Sequence, residues 1–275
     1  MVVDPILAQP QTLASSEPDA VFRQLLDEIN PELAHIPLQF IQVQLAECFK
    51  PMIRGLSSVD RAALEDTSPY GPMGTIKLVD PNPSGNDDIS SIHPTHLLAI
   101  SSRDDTQSRP HLVPVHGIVF VAHCAKPRLG ASAVVEGSEP NTFVLPITSL
   151  TLPSVSAFYA LRAYMYNPHP LTLLNALLPG VLSNGLPPTP MDLSSHTTRR
   201  YFAAQVIDVA KKGLTASHPT EILPRVQAYA ARMPDVWLCA WTLGMYRQHL
   251  WNTLDFVSGV VGCALKMLDA GSTGK

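Results

Sequence analysis

The stretch HLVPVHGIVFVAHC, residues 111–124, decides how the middle of this chain folds. Its first half, rich in valine, predicts a strand, and its second half predicts a short helix that begins at Gly117. We interpret His116 as the residue that closes the strand and fixes the strand–helix corner by hydrogen bonding. His123 and Cys124 are expected to pack inside or beside the helix. If the helix continues to Cys124, His116 and His123 share one face of it.

The same residues also permit a different hypothesis, an intracellular metal- or thiol-dependent hydrolase. Zinc sites usually include close pairs such as CxxC or HxxxH, and this stretch contains neither. The chain also lacks a GxSxG motif, and burial of Cys124 in an apolar helix would raise the thiol pKa instead of activating it. We therefore expect no catalytic residue, no metal and no cofactor. The alternative stays open on one histidine cluster, which comprises His93, His96, His111, His116, His123 and Cys124.

The composition is that of a folded, intracellular protein. The 275 residues are 45% hydrophobic, which is enough for a substantial core, and the formal charge of −4 disfavours direct binding to nucleic acid. The four cysteines are scattered, as is typical of reduced thiols inside the cell. The N-terminus lacks the pattern of a signal peptide, and charges interrupt the apolar region 234–268, so we expect neither secretion nor membrane binding.

Prolines and turn-forming residues divide the chain into four predicted parts. Residues 1–15 are predicted to be a flexible leader, and residues 16–90 a mainly helical segment that ends in a loop. Residues 91–180 are predicted to form an α+β core, and residues 181–270 a helical region. Within this last region we expect helices separated by glycine or proline, at 197–212, 219–232, 235–251 and 253–268.

Arginine and aromatic side chains are the candidates for contacts with other proteins, because these residue types dominate the energetics of interfaces. We predict contacts through exposed members of this set, namely Arg162, Tyr166, Arg199, Arg200 and Arg247. The basic pairs of RRYFAAQVIDVAKK, residues 199–212, imitate a nuclear import signal, but the amphipathic pattern between them favours a folded helix. Small residues four apart near the C-terminus permit close helix packing and leave a homodimer open.

The order of elements in the core resembles the BTB/POZ fold. A strand ending in VPVH precedes the helix GIVFVAHC, and the strand FVLPI precedes the helix SAFYALRAYMYNP. In that resemblance, His116 is the histidine at the strand end. The predicted fold class is therefore α+β, with a small BTB/POZ-like mixed sheet, helices around it and a C-terminal helical bundle.

The chain is also similar to the Clampless proteins of basidiomycete fungi. The residues that carry this resemblance are LVPVHGIVFVAHCAKPRL, LPITSLTLPSVSAFYALRAYMYNP and LLNALLP. The resemblance implies a non-enzymatic regulator that acts downstream of mating-type homeodomain proteins, in clamp-cell formation and dikaryon development. It also implies a nuclear or nucleocytoplasmic location and partners that are other proteins, transcription regulators among them.

Overall fold

The computed structural model describes most of the chain, and the account below is confined to that part: residues 17–33, 35–60, 62, 64, 73–77, 92–103, 109–130, 135–136, 142–184, 192–212 and 221–272. The predicted leader 1–15 and residues 78–91, which include the loop predicted to end the N-terminal segment, lie outside the described residues. The fold class is mixed α+β, as predicted, with a small sheet followed by C-terminal helices.

Among the described residues between 17 and 60, three α-helices form the first part of the chain: α1 (Glu17–Ile29), α2 (Leu38–Glu47) and α3 (Phe49–Ser57). α1 is amphipathic, since Leu25 and Leu26 on one of its faces are buried in the main hydrophobic core. In α2, the Nε2 of Gln42 donates a hydrogen bond to the carbonyl of Ala122 at 3.0 Å. The N-terminal helices therefore dock on the central part of the chain.

The sheet contains five strands in the described residues: β1 (Met73–Lys77), β2 (His96–Ser102), β3 (His111–Val115), β4 (Val135–Glu136) and β5 (Thr142–Leu152). Their order is β1-β5-β2-β3, with β4 also paired to β5. β3 is antiparallel to β2, whereas β2 and β5 are parallel. The parallel pairing requires a crossover connection between β2 and β5, and the strand–helix corner lies within it.

β5 is longer than the predicted strand FVLPI, residues 143–147, because it takes different partners along its length. Its first half pairs with β1 as far as Pro146, and its second half pairs with β2 from Ile147 onward. Pro146 lacks a backbone N–H and stands at the change of partner, where the loss of one donor is tolerated. Pro114 is likewise tolerated because β3 lies at the edge of the sheet.

Helices cover the sheet and complete the core: α4 (Gly117–Val121), α5 (Val155–Tyr166), α6 (Pro170–Leu177), α7 (His196–Lys211), α8 (Ile222–Leu243) and α9 (Gln248–Ser272). Buried residues from α1 through α9 belong to one hydrophobic cluster. The ring centroids of Phe202 and Phe256 lie 5.8 Å apart between α7 and α9, and those of Trp237 and Trp251 lie 5.1 Å apart between α8 and α9. In the described part of the chain, no helix has both the length and the hydropathy needed to cross a membrane.

The C-terminal helices differ from the prediction in their boundaries. The expected break before residue 235 is wrong, because α8 continues through Pro234. The break falls instead at Gly244, whose φ of 70° is the left-handed conformation that ends many helices. A Cβ at Gly244 would lie 3.1 Å from the backbone nitrogen of Lys126, so glycine also permits a close approach of two chain segments. The helices predicted at 219–232 and 235–251 are mostly one helix, and α9 begins at Gln248.

Candidate functional site

His116 occupies the corner between β3 and α4 and is buried, with 1% of its surface exposed. Its Nε2 lies 2.8 Å from the carbonyl oxygen of Ile92, so this nitrogen carries the proton and donates it. The Oη of Tyr166 accepts the backbone N–H of His116 at 2.9 Å and donates its own hydrogen to Nδ1 at 2.8 Å. Burial lowers the pKa of His116 to about 4, so the ring is neutral. The predicted role of His116, fixing the corner by hydrogen bonds, is confirmed.

His96 begins β2 and lies buried beside the same corner. Its Nε2 donates to the carbonyl of Gly130 at 2.9 Å, and its Nδ1 lies 2.9 Å from the hydroxyl of Thr95. That hydroxyl oxygen also accepts the backbone N–H of Gly117 at 2.8 Å. Burial lowers the pKa of His96, which keeps this ring neutral as well. Each ring nitrogen of His96 and of His116 is therefore used by a hydrogen bond within the fold.

His123 and Cys124 are also buried, but their position differs from one expectation. α4 ends at Val121, so His123 lies beyond the helix and does not share a helical face with His116. Its ring hydrogen-bonds the backbone of Met165, and burial lowers its pKa to about 3. Burial raises the pKa of the Cys124 thiol well above its usual value, as the sequence predicted. The expectation that both residues pack beside the helix is confirmed.

The remaining two histidines of the proposed cluster are exposed. The ring of His93 stacks on Phe143 with centroids 5.8 Å apart, and His111 lies at the start of the edge strand β3. Across the residues that the structure describes, no three histidine, cysteine, aspartate or glutamate side chains are arranged to hold a metal ion. The cluster that the hydrolase alternative requires is not assembled there.

The predicted contact residues lie in different settings. Tyr166 is 3% exposed, so the prediction that it is an exposed contact residue is wrong. Its hydroxyl is hydrogen-bonded to His116 inside the fold. Arg162 donates to the carbonyl of Pro114 at 3.0 Å and lies over the ring of Tyr159, 5.3 Å from the centroid. Tyr159 is 42% exposed and was not selected from the sequence, although its spacing of three residues from Arg162 places both on one helical surface.

The arginines of the C-terminal helices also differ from one another. Arg199 pairs with Asp255 at 3.5 Å and packs against Gly259 of α9, so this glycine serves packing within the chain. Arg200 is exposed. Arg247 is half-buried, and its Nε is buried without a hydrogen-bond partner among the described residues. Apart from Tyr166, these residues stay predictions as contact sites.

The molecule is thus an α+β protein in which buried, neutral histidines join strands to helices. A family model described as the Clampless protein 1 N-terminal domain matches residues 16–153, from the start of α1 to the end of β5, and the chain belongs to the Clampless family. The comparisons with curated proteins and with solved structures returned no match. The likeness of the core to BTB/POZ domains therefore stays a prediction.

Proposed function

We propose that this protein is a non-enzymatic regulator that works by binding other proteins in clamp-cell formation and dikaryon development. Membership of the Clampless family carries this proposal, because the family name itself suggests a role in clamp formation. As the resemblance implies, its place is downstream of the mating-type homeodomain proteins. Its partners are then proteins, transcription regulators among them, and its location is nuclear or nucleocytoplasmic.

The state of the buried histidine and cysteine side chains supports a non-enzymatic role, because these side chains hold the fold together. His96, His116 and His123 are neutral, buried and hydrogen-bonded to backbone atoms, while Cys124 is buried with a raised thiol pKa. Residues in this state stabilise a fold, whereas a nucleophile or a general base needs access to its substrate. The chain therefore uses the histidines that first indicated chemistry to hold its architecture.

The exposed part of α5 offers a surface for a partner. Tyr159 and Arg162 are paired there by a cation–π contact, and both tyrosine and arginine are residue types enriched at protein interfaces. The hydrogen bond from Arg162 to Pro114 holds the guanidinium in place before a partner arrives, which reduces the entropy lost on binding. We propose this pair as the centre of one contact surface, with Arg200 as an exposed contributor elsewhere.

The proposal is tested by replacing the native gene with a Tyr159→Ser allele and scoring clamp cells together with the proteins recovered in a pull-down. We expect fewer clamp cells and the loss of specific partners at an unchanged protein level. Phe40→Ser is a matched control, since Phe40 is 55% exposed on α2. Normal clamp formation after deletion of the whole gene would refute the developmental role, and recovery of metabolic enzymes alone would refute the regulatory one.

A further inference from the structure

A cavity of about 250 Å³ opens between α2, the segment after α4, the end of α5 and the start of α9. We call it the Arg247 pocket, and its walls include Leu45, His123, Tyr164, Met165, Arg247 and His249. Its volume is below the range typical of sites for drug-sized ligands, so it suits a small molecule or a single side chain. It is distinct from the Tyr159–Arg162 surface, and nothing in the proposed function uses it.

Arg247 is the unusual member of this wall. Its Nε is buried and makes no hydrogen bond within the described part of the chain. Burial lowers the pKa of Arg247, and the charge of Asp19 acts in the opposite direction. Buried donors of a guanidinium are normally satisfied, because an unpaired one loses its hydrogen bonds to water and gains no partner in the protein. Arg247 also lines the pocket, so an anion bound there would pair with the charge of its guanidinium.

The other polar groups of the pocket carry no compensating negative charge. The hydroxyl of Tyr164 and the Nδ1 of His249 lie 2.8 Å apart and satisfy each other. His123 is neutral because burial lowers its pKa to about 3. Burial also raises the pKa of Tyr164 to about 12, which keeps the phenol uncharged. The pocket therefore presents one fixed positive charge.

The start of α9 adds to this potential. Arg247 directly precedes the helix, and its carbonyl accepts the backbone N–H of Leu250 at 3.0 Å. The first turn of a helix carries partial positive charge from its backbone N–H groups. Leu45, Met165 and Pro168 line the remaining wall with apolar surface. Together these groups favour a ligand with one negative end and a short apolar body.

We propose that the Arg247 pocket binds a carboxylate, with the guanidinium of Arg247 facing the carboxylate oxygens and Leu45 and Met165 contacting an attached hydrocarbon. A carboxylate fits better than a phosphate because the pocket has a single fixed cation, and because the planar fork of arginine matches a planar carboxylate. The group has two sources, a free organic acid or the glutamate or aspartate side chain of another protein. Both sources present the same carboxylate group to Arg247.

The test is calorimetric titration of the full chain with butyrate, butanamide and inorganic phosphate. We expect saturable binding of butyrate and at least tenfold weaker binding of butanamide, which has the same shape without the charge. Arg247→Gln should weaken butyrate binding at least tenfold, while Arg109→Gln, the matched exposed control, should leave it unchanged. Tighter binding of phosphate than of butyrate, or equal butyrate binding by Arg247→Gln, would overturn the proposal, as would the absence of saturable binding.

A second variant separates loss of the site from loss of the fold. Ala46 lines the pocket and is exposed, so Ala46→Leu narrows the opening without disturbing the core. We expect this variant to unfold at the wild-type temperature but to bind butyrate at least tenfold more weakly; unchanged binding would contradict the assigned pocket. A short acetylated peptide with one glutamate, compared with its glutamine counterpart, distinguishes the sources. Tighter binding of the glutamate peptide than of butyrate supports a protein side chain, and the reverse supports a free acid.

Discussion

The hydroxyl of Tyr166 holds His116 at two atoms, accepting from its backbone N–H at 2.9 Å and donating to its Nδ1 at 2.8 Å. The two residues are fifty positions apart in the sequence and both are buried. One phenol oxygen thereby ties the β3–α4 corner to the end of α5. This relationship explains why a tyrosine whose type suggested an interface is unavailable to a partner.

Tyr166→Phe should lower the free energy of unfolding. The substitution leaves two buried groups of His116 without a partner, and each such group costs about 1–3 kcal/mol. We therefore expect a loss of about 2 kcal/mol or more, measured by urea denaturation. Tyr159→Phe is the control, because Tyr159 is exposed and a phenylalanine ring still faces Arg162; its effect should stay within about 0.5 kcal/mol. Equal effects of the two substitutions would contradict the role of the hydroxyl.

Stability should fall as the pH drops below about 6.5. The pKa of His116 is about 4 in the folded chain and 6.5 in the unfolded chain, so between these values the unfolded chain binds more protons. Each such histidine therefore lowers the free energy of unfolding by up to about 1.4 kcal/mol for every pH unit that the pH falls within this window. Urea denaturation at pH 7, 6 and 5 measures the slope. His116→Gln should make this slope of stability against pH smaller. An unchanged slope would argue against protonation of His116 as a cause of the pH dependence.

Gly117→Ala should destabilise the corner through His96. A Cβ at Gly117 would lie 2.5 Å from the Nδ1 of His96, so the ring or the helix start must move. Overpacking of this kind costs about 1–3 kcal/mol. Gly130→Ala is the matched control in the same network, because its Cβ would meet nothing within 4 Å. Thermal unfolding should separate the two variants, and equal melting temperatures would contradict this packing.

The four cysteines should react with a thiol reagent in two groups. Cys48 and Cys263 are half-buried and should be modified in the native protein. Cys124 and Cys239 are buried, and burial raises the pKa of the Cys239 thiol to about 11 and that of Cys124 well above its usual value. These two should react only on unfolding, because the thiolate is the reactive form. Labelling followed by peptide mass spectrometry identifies the modified positions; rapid modification of Cys124 in the native protein would contradict its burial.

The sequence predicted features that local pattern controls. The role of His116 followed from a polar residue at the end of an apolar strand, and the burial of Cys124 followed from its apolar neighbours. The end of α4 could not be predicted in this way. There, the backbone N–H groups of Ala125 and Lys126 donate to the carbonyls of Gly244 and Leu243, both at 3.2 Å. The chain after α4 is therefore held in a non-helical path by the end of α8, which lies more than a hundred residues away in the sequence.

Other differences have the same origin in distant contacts. Pro234 lies inside α8 because the buried residues on both sides of it, Met233 and Val236, gain more from the core than one missing hydrogen bond costs. The Arg247 pocket joins residues from α2, α5 and the start of α9, which no spacing along the chain relates. The sequence drew attention to Arg247 by its residue type alone, and the unpaired Nε is visible only in the folded chain.

The change of partner along β5 has a consequence for how the sheet opens. β1 and β2 do not pair with each other, and each is paired to a different half of β5. Loss of β5 would therefore free the backbone amides on both sides at once, and local fraying of one side would leave the other protected. In hydrogen exchange, we expect the amides of β2 and of the second half of β5 to share one opening rate. Pro146 should mark the position along β5 where the exchange rate changes.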